Sequence, residues 1–292
     1  MSAAPAVGKL VVVGVGLIGA SAALALRAAG AVGTVAGIGR SRANVERALA
    51  MGAIDAAGGY DAATLGDADV VLVAVPVAQT GAVLAALAPL IGPGTVVTDA
   101  GSTKQDVIAL ARARLGDAFP RFVPGHPVAG AERSGAAAAD AALYAGRRVL
   151  LTPVAQTDPA ALARVESLWR ACGASVARMA PDRHDAVLAA VSHLPHVLAF
   201  ALVHAISERA DAAECFALAG SGFRDFTRIA GSSPEMWRDI CLANREALLE
   251  ALERYLAEVD RVRQLIEQQQ GSALEQVFAR ASEARGKWTG AT

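Results

Sequence analysis

Leu10-Val11-Val12-Val13-Gly14-Val15-Gly16-Leu17-Ile18-Gly19 runs an apolar, β-branched segment straight into glycines spaced Gly-x-Gly-x-x-Gly, and an alanine-rich stretch follows to Ala29. Strand, tight turn and helix is the context that gives this glycine spacing meaning. Gly14 permits the turn, Gly16 keeps a side chain out of the space a pyrophosphate needs, and Gly19 lets helix and strand approach. Amides exposed at the helix start hold phosphates, which makes Leu17 and Ile18 candidate contacts beside the three glycines. Residues 10–26 follow Lys9 and superficially resemble a secretory signal, but the glycines interrupt them at turn spacing.

Working outward, short β-branched runs alternate with alanine-rich helical stretches through the first half, the pattern of a parallel sheet covered on both faces. Strands are predicted at residues 10–13, 34–38, 70–75, 95–98, 122–123 and 148–151, and helices at 18–29, 43–51, 80–90 and 104–115. Gly30 and Gly52 follow two of these helices, where a left-handed cap favours glycine. From about Ala180 strand signals vanish, and helices are predicted at 181–206, 210–219, 234–269 and 273–283. In the third, Trp237, Ile240, Leu248, Leu252, Tyr255, Val259, Val262 and Ile266 recur at helical spacing. Pro234 suits its first turn and Ser233 its cap. As one rod it would run on the order of 50 Å, beyond one small domain, which implies packing against a second copy. The expectation is an α/β Rossmann-type doubly wound sheet over residues 1–178, followed by an all-α substrate and dimerisation domain over 179–292.

The second strand bears on the cofactor. An NAD site usually ends that strand with Asp or Glu for the ribose 2′-hydroxyl, whereas here it ends Gly37-Ile38-Gly39-Arg40-Ser41-Arg42. Gly39 stands at the acid's position, and Arg40 and Arg42 suit a 2′-phosphate, with Ser41 between them. NADP is therefore expected in preference to NAD. Val75 and Pro76, closing the third predicted strand, complete the candidate cofactor contacts.

Composition narrows the remaining classes. Lys and Arg number 27 against 28 Asp and Glu, so nothing points to nucleic acid or an anionic membrane, and anion recognition must rest on individual arginines. Cys172, Cys215 and Cys241 lie at no metal-ligand spacing and read as reduced thiols of a cytoplasmic protein. Residues 187–206 are apolar enough to span a bilayer. His193, Pro195, His196 and His204 among them favour a buried helix of a soluble domain.

Polar chemistry gathers in four further runs: Asp99-Ala100-Gly101-Ser102-Thr103-Lys104, Gly125-His126-Pro127-Val128-Ala129-Gly130, Ser192-His193-Leu194-Pro195-His196 and Asp225-Phe226-Thr227-Arg228-Ile229-Ala230. His126 follows a strand ending near the sheet's carboxyl edge, where ligands of open α/β sheets bind. An imidazole titrating at about pH 6.5 suits accepting a proton at neutral pH. Ser102 suits the cap of the helix from Lys104, and Lys104 suits fixing Asp99 and its loop. Arg228 offers a planar, two-pronged match to a carboxylate, or a salt bridge to Asp225. His193 and His196 are neighbours on one helix face, with Pro195 disturbing the turn between them. No Cys, Asp or Glu nearby completes a metal site, so no metal is expected. Trp237 lines a pocket or anchors the long helix, and His184-Asp185 reads as an internally paired helix start.

In order, with the glycine fingerprint before them and Pro234-Glu235-Met236-Trp237 after, these motifs resemble the prephenate dehydrogenase family of tyrosine biosynthesis, which includes arogenate and broad-specificity cyclohexadienyl dehydrogenases. The resemblance implies oxidation of prephenate's ring carbinol, loss of the ring carboxylate as carbon dioxide, and hydride transfer to NAD(P). It implies His126 as the catalytic base and Ser102 bonding around the ring hydroxyl and nicotinamide. It places Arg228, His193, His196 and Trp237 in the substrate pocket, with His196 toward the side-chain carboxylate, and it implies a homodimer. Ala131 stands where such proteins often carry serine. The chain also ends without the regulatory or mutase domain of some relatives, so feedback by tyrosine through such a domain is not expected, and binding of tyrosine in the active site stays open. No acid lies within residues 191–206 to receive an ammonium, which favours prephenate over arogenate, with Asp225 and Glu132 open as alternatives. Rival readings are another Rossmann-plus-helical enzyme, such as a β-hydroxyacid dehydrogenase or imine reductase, and a nucleotide-binding protein without catalysis. Neither calls for His126, Ser102 and Arg228 together.

Overall fold

The computed structural model describes residues 6–130 and 135–288; Ala131 and Glu132 lie outside the described residues. Its strands are β1 (Val7–Val13), β2 (Val32–Ile38), β3 (Ala56–Ala57), β4 (Val70–Val73), β5 (Val96–Asp99), β6 (Phe122–Val123), β7 (Gly125–Pro127), β8 (Arg148–Leu151) and β9 (Ser175–Arg178). Helices α1 (Leu17–Ala28), α2 (Arg42–Ala50), α3 (Ala62–Leu65), α4 (Thr80–Leu87), α5 (Gln105–Leu115) and α6 (Pro159–Ala171) accompany them. The rest is helical: α7 (Pro181–Leu188), α8 (Leu194–Ser207), α9 (Ala212–Ala217), α10 (Ser221–Thr227), α11 (Pro234–Ala243), α12 (Arg245–Glu267) and α13 (Gly271–Lys287).

β1 to β6 form one parallel sheet in the order β3-β2-β1-β4-β5-β6. The chain starts in the middle and winds outward both ways, so a crevice opens at the carboxyl ends of β1 and β4, where such sheets bind ligands. The unbroken apolar runs of these strands follow from burial on both faces. Leu10, Val12, Val70 and Leu72 enter the core shared with α1 and α6, and Val11, Val13, Val71 and Val73 enter the core shared with α4 and α5.

The strand at 148–151 exists but does not join this sheet. β8 pairs antiparallel with β7 and parallel with β9. Pro124, which has no amide to donate, follows β6 after only two residues, and the chain re-enters as β7. Strands of two or three residues such as β3 and β7 are too short to show alternation. Helix α6, also unforeseen, does carry a legible start: Asp158 accepts from the Ala160 amide at 2.7 Å, and Pro159 sits in the first turn.

Two predicted helices are interrupted. Between α7 and α8 the backbone forms a π-helical turn, Ala189–His193. Pro195 cannot donate to the fourth residue back, and the ladder widens just ahead of it. The predicted rod 234–269 is α11 and α12, parted at Asn244, whose φ and ψ are −102° and 35°. Asn244 still donates to the Ile240 oxygen and accepts from Leu248, so the apolar periodicity passes through the bend and conceals it.

Among the described residues Pro181–Ser207 is long and apolar enough to cross a membrane by length and composition. The helical half also exposes Val191, Leu218, Leu242, Leu256 and Phe278, apolar surface of the kind that marks association.

Candidate active site

The β1–α1 turn separates three roles for its glycines. Gly14 has φ +99°, and a Cβ there would lie 2.3 Å from the Ala74 oxygen; at Gly19 it would lie 2.2 Å from the Gly14 oxygen and 2.6 Å from Val12. Both are required by the fold itself. A Cβ on Gly16 would meet nothing within 4 Å, so its bareness serves something that arrives from outside. No side chain caps α1 and no acid lies in its first turn, which leaves the first-turn amides to an anion. These residues fit a dinucleotide pyrophosphate. Val75 approaches the same turn, its Cγ1 3.1 Å from the place of a Gly14 Cβ, and Pro76 follows it.

At the end of β2 a Cβ on Gly39 would press Val45 at 2.9 Å and Val15 at 3.1 Å, so an acid does not fit there without rearrangement. Ser41 is occupied as the cap of α2, accepting from the Asn44 amide at 3.3 Å, and Arg42 pairs with Glu46 at 2.7 Å. Arg40 is exposed and has no bonded partner among the described residues, which leaves it the readier of the two arginines for a phosphate.

Asp99, at the end of β5, gathers the next group. It accepts from the amides of Gly101 at 2.8 Å and Gly125 at 3.0 Å and pairs with the buried Lys104 ammonium. Lys104 Nζ also donates to the Gly125 oxygen at 2.7 Å. One carboxylate thus ties the loop of Ser102 to the strand of His126, with Lys104 in the fixing role its spacing suggested. The capping role expected of Ser102 belongs instead to Asp185 of α7, which accepts from the amides of Lys104 and Gln105, each at 2.9 Å. The Ser102 hydroxyl makes no hydrogen bond among the described residues.

His184-Asp185 is paired internally, but it is more than a helix start. His184 Nδ1 meets Asp185 Oδ1 at 2.8 Å, and His184 Nε2 meets His126 Nδ1 at 2.9 Å. Burial pushes Asp185 up, yet the bond from His184 and the two amides hold its pKa below the usual carboxylate value, so it stays ionised. A carboxylate only accepts, which places the His184 proton on Nδ1 and leaves its Nε2 bare. His126 must then donate from Nδ1, and its own Nε2 is the unprotonated nitrogen. Burial, with smaller contributions from His184, Lys104 and His193, pushes the His126 pKa well down and keeps the ring neutral.

The helical half closes the site. His193, in the π turn, is buried and meets Asn244 Nδ2 through Nδ1 at 3.0 Å. His196 donates from Nδ1 to the Ser192 oxygen at 2.8 Å and stacks on Trp237 at a centroid distance of 3.6 Å, while His193 stands edge-on to the same indole at 6.0 Å. Arg228 lies in a 3-10 turn, Arg228–Gly231, packed against α8. Burial lowers the His196 pKa, and the Arg228 charge lowers it further. Burial takes His193 down to about 4. His126, His193, His196 and Arg228 are thereby one electrostatic neighbourhood, with Trp237 in ring contact with His193 and His196. Among the described residues no group of His, Cys, Asp or Glu is placed to hold a metal. Sequence reasoning passed over Asn244 and the reach of His184; a buried amide inside an apolar helical register was the available signal.

A family model described as prephenate dehydrogenase, nucleotide-binding domain, matches residues 22–178, and one described as prephenate dehydrogenase, dimerization domain, matches residues 180–280. The chain is 36% identical to prephenate dehydrogenase of Bacillus subtilis over 94% of this chain and 75% of that protein. It is also 36% identical to cyclohexadienyl dehydrogenase of Zymomonas mobilis, over 94% of each. The solved prephenate dehydrogenase of A. aeolicus in complex with hydroxyphenyl propionate and NAD+ superposes with a TM-score of 0.89 at 35% identity, covering 98% of this chain and 99% of that one.

Proposed function

The chain belongs to the prephenate dehydrogenase family, and on that premise we propose that it oxidises and decarboxylates prephenate to hydroxyphenylpyruvate, with NADP preferred to NAD. The observation that carries this reading is His126. Its bare Nε2 is held by the His184–Asp185 relay, and it is coupled through His193 and His196 to the charge of Arg228.

Prephenate gives up the hydrogen of its carbinol carbon as hydride and its ring carboxylate as carbon dioxide, and the hydroxyl proton drawn off during the transfer returns to the oxygen as the ring becomes aromatic. When bound, the nicotinamide supplies the hydride acceptor. Gly14, Gly16, Leu17, Ile18 and Gly19 would hold the pyrophosphate, Val75 and Pro76 would border the cofactor, and Gly39 and Arg40 would take its ribose phosphate, with Ser41 and Arg42 flanking them but engaged by α2 and Glu46. His126 Nε2 takes the hydroxyl proton, a contribution of about 10²–10⁴ in rate for a general base. Ser102, its hydroxyl uncommitted, bonds the same oxygen. His184 and Asp185 are positioning residues that keep the accepting nitrogen bare. Arg228 clamps a carboxylate by its planar fork. His196 offers a carboxylate a donor only once its Nε2 is protonated, since Nδ1 is committed to Ser192. Trp237 holds that ring flat.

The division at residues 178 and 179, a homodimer formed through the exposed faces of α8, α12 and α13, and a cytoplasmic location consistent with three free thiols belong to the same reading. Mixing the protein with prephenate and each nicotinamide tests it. Reduced nicotinamide and carbon dioxide are expected in equal amounts. Turnover of arogenate alone would move the assignment to that relative, and no turnover of either substrate would overturn it.

A further inference from the structure

The imidazole of His193 is 1% exposed, and its Nε2 has no hydrogen-bond partner among the described residues. Asn244 decides what that nitrogen is. Asn244 Nδ2 donates one hydrogen to the backbone oxygen of Asp185 at 2.9 Å, which fixes the amide's orientation, and its second hydrogen faces His193 Nδ1 at 3.0 Å. His193 Nδ1 therefore accepts, and the ring proton sits on Nε2. The result is a rigid, neutral N–H donor without an acceptor among the described residues. It stands edge-on to Trp237 and is an electrostatic neighbour of His126. A buried donor left unmet is unfavourable and demands an explanation.

We propose that Asn244 is a positioning residue that locks His193 as a donor to an acceptor oxygen on the substrate's side chain, and so selects the keto acid against the corresponding amino acid. This rests on the pocket being the one that takes prephenate. An ammonium brings only donors and would set N–H against N–H, whereas a keto oxygen completes the bond; a site built around one hydrogen-bonding group rejects its opposite strongly. The side-chain carboxylate is the other acceptor within the same molecule, and the two are separable.

Isotope labelling of the histidine nitrogens, read by proton correlation, reports which ring nitrogen carries hydrogen without any turnover. In the native chain His193 is expected to carry it on Nε2. Hydroxyphenylpyruvate should shift that signal, whereas hydroxyphenylpropionate, which keeps the carboxylate and lacks the keto oxygen, should leave it in place. Asn244→Ala should raise KM for prephenate about tenfold, the loss of one fixed hydrogen bond, with kcat within about twofold. Native affinity of that variant for hydroxyphenylpropionate and NADP would show an intact pocket. A proton on His193 Nδ1 in the native chain, equal shifts with both ligands, or an unchanged KM in Asn244→Ala would overturn the proposal. A native chain that fails to oxidise prephenate refutes the functional reading instead, and the tautomer measurement still judges Asn244 by itself.

Discussion

Replacing His184 by Phe removes the acceptor that His126 Nδ1 has among the described residues, the 2.9 Å contact to His184 Nε2, while keeping a ring of similar size in a fully buried place. A buried N–H stripped of its acceptor loses about 1–3 kcal/mol. His126 can avoid that loss by moving its proton to Nε2, the nitrogen proposed to receive the hydroxyl proton. The base-competent tautomer then falls by a factor of about 5–150, taking a tenfold change as about 1.4 kcal/mol. His184→Phe should therefore lower kcat by about 10–100-fold, with the Kd for NADP unchanged and Tm reduced by a few degrees. His184→Gln, which can present a carbonyl oxygen to Nδ1, should recover part of the loss. Steady-state turnover with saturating prephenate, beside a thermal melt of each variant, is the assay. A folded His184→Phe with kcat within about twofold of native, or a Gln variant no better than Phe, would refute the relay.

Other outcomes follow from the same geometry. Arg228→Ala should raise KM for prephenate by about 10–100-fold through loss of charge-assisted bonds, and an unchanged KM would remove the clamp. Native kcat/KM should favour NADP over NAD; Arg40→Ala should erase much of that preference and Arg42→Ala little, because Arg42 is engaged by Glu46, and a native preference for NAD would contradict the assignment. The folded pKa of His193 is about 4 against about 6.5 unfolded. The unfolded chain therefore binds more protons between these values, and stability is full above about pH 6.5 and falls toward pH 4 by about 3 kcal/mol from His193 alone. His126 acts in the same direction. Denaturant melts at pH 7 and pH 5 read this, and a flat profile would exclude it.

How much was legible depends on what each residue's signal measures. The glycine spacing and the apolar runs report backbone geometry and burial, and both gave the parallel sheet and its crevice. Pro195 announced a disturbed turn, which proved to be the π turn holding His193. Asn244 and His184 escaped because their partners, Asp185, His193 and His126, lie far along the chain, and only folding brings them together. Ser102 was read as a cap from its local position, whereas the cap arrives from α7. Periodicity could not reveal the break at Asn244, since the ladder bonds around it persist.

The assignment of His126 as the group that takes the hydroxyl proton is tested most directly by kcat of His126→Asn with saturating prephenate and NADP, with NADP binding measured on the same sample. The expected result is a kcat about 10²–10⁴ below native with cofactor affinity retained. A kcat within a few-fold of native, in a variant that still binds NADP, would contradict it.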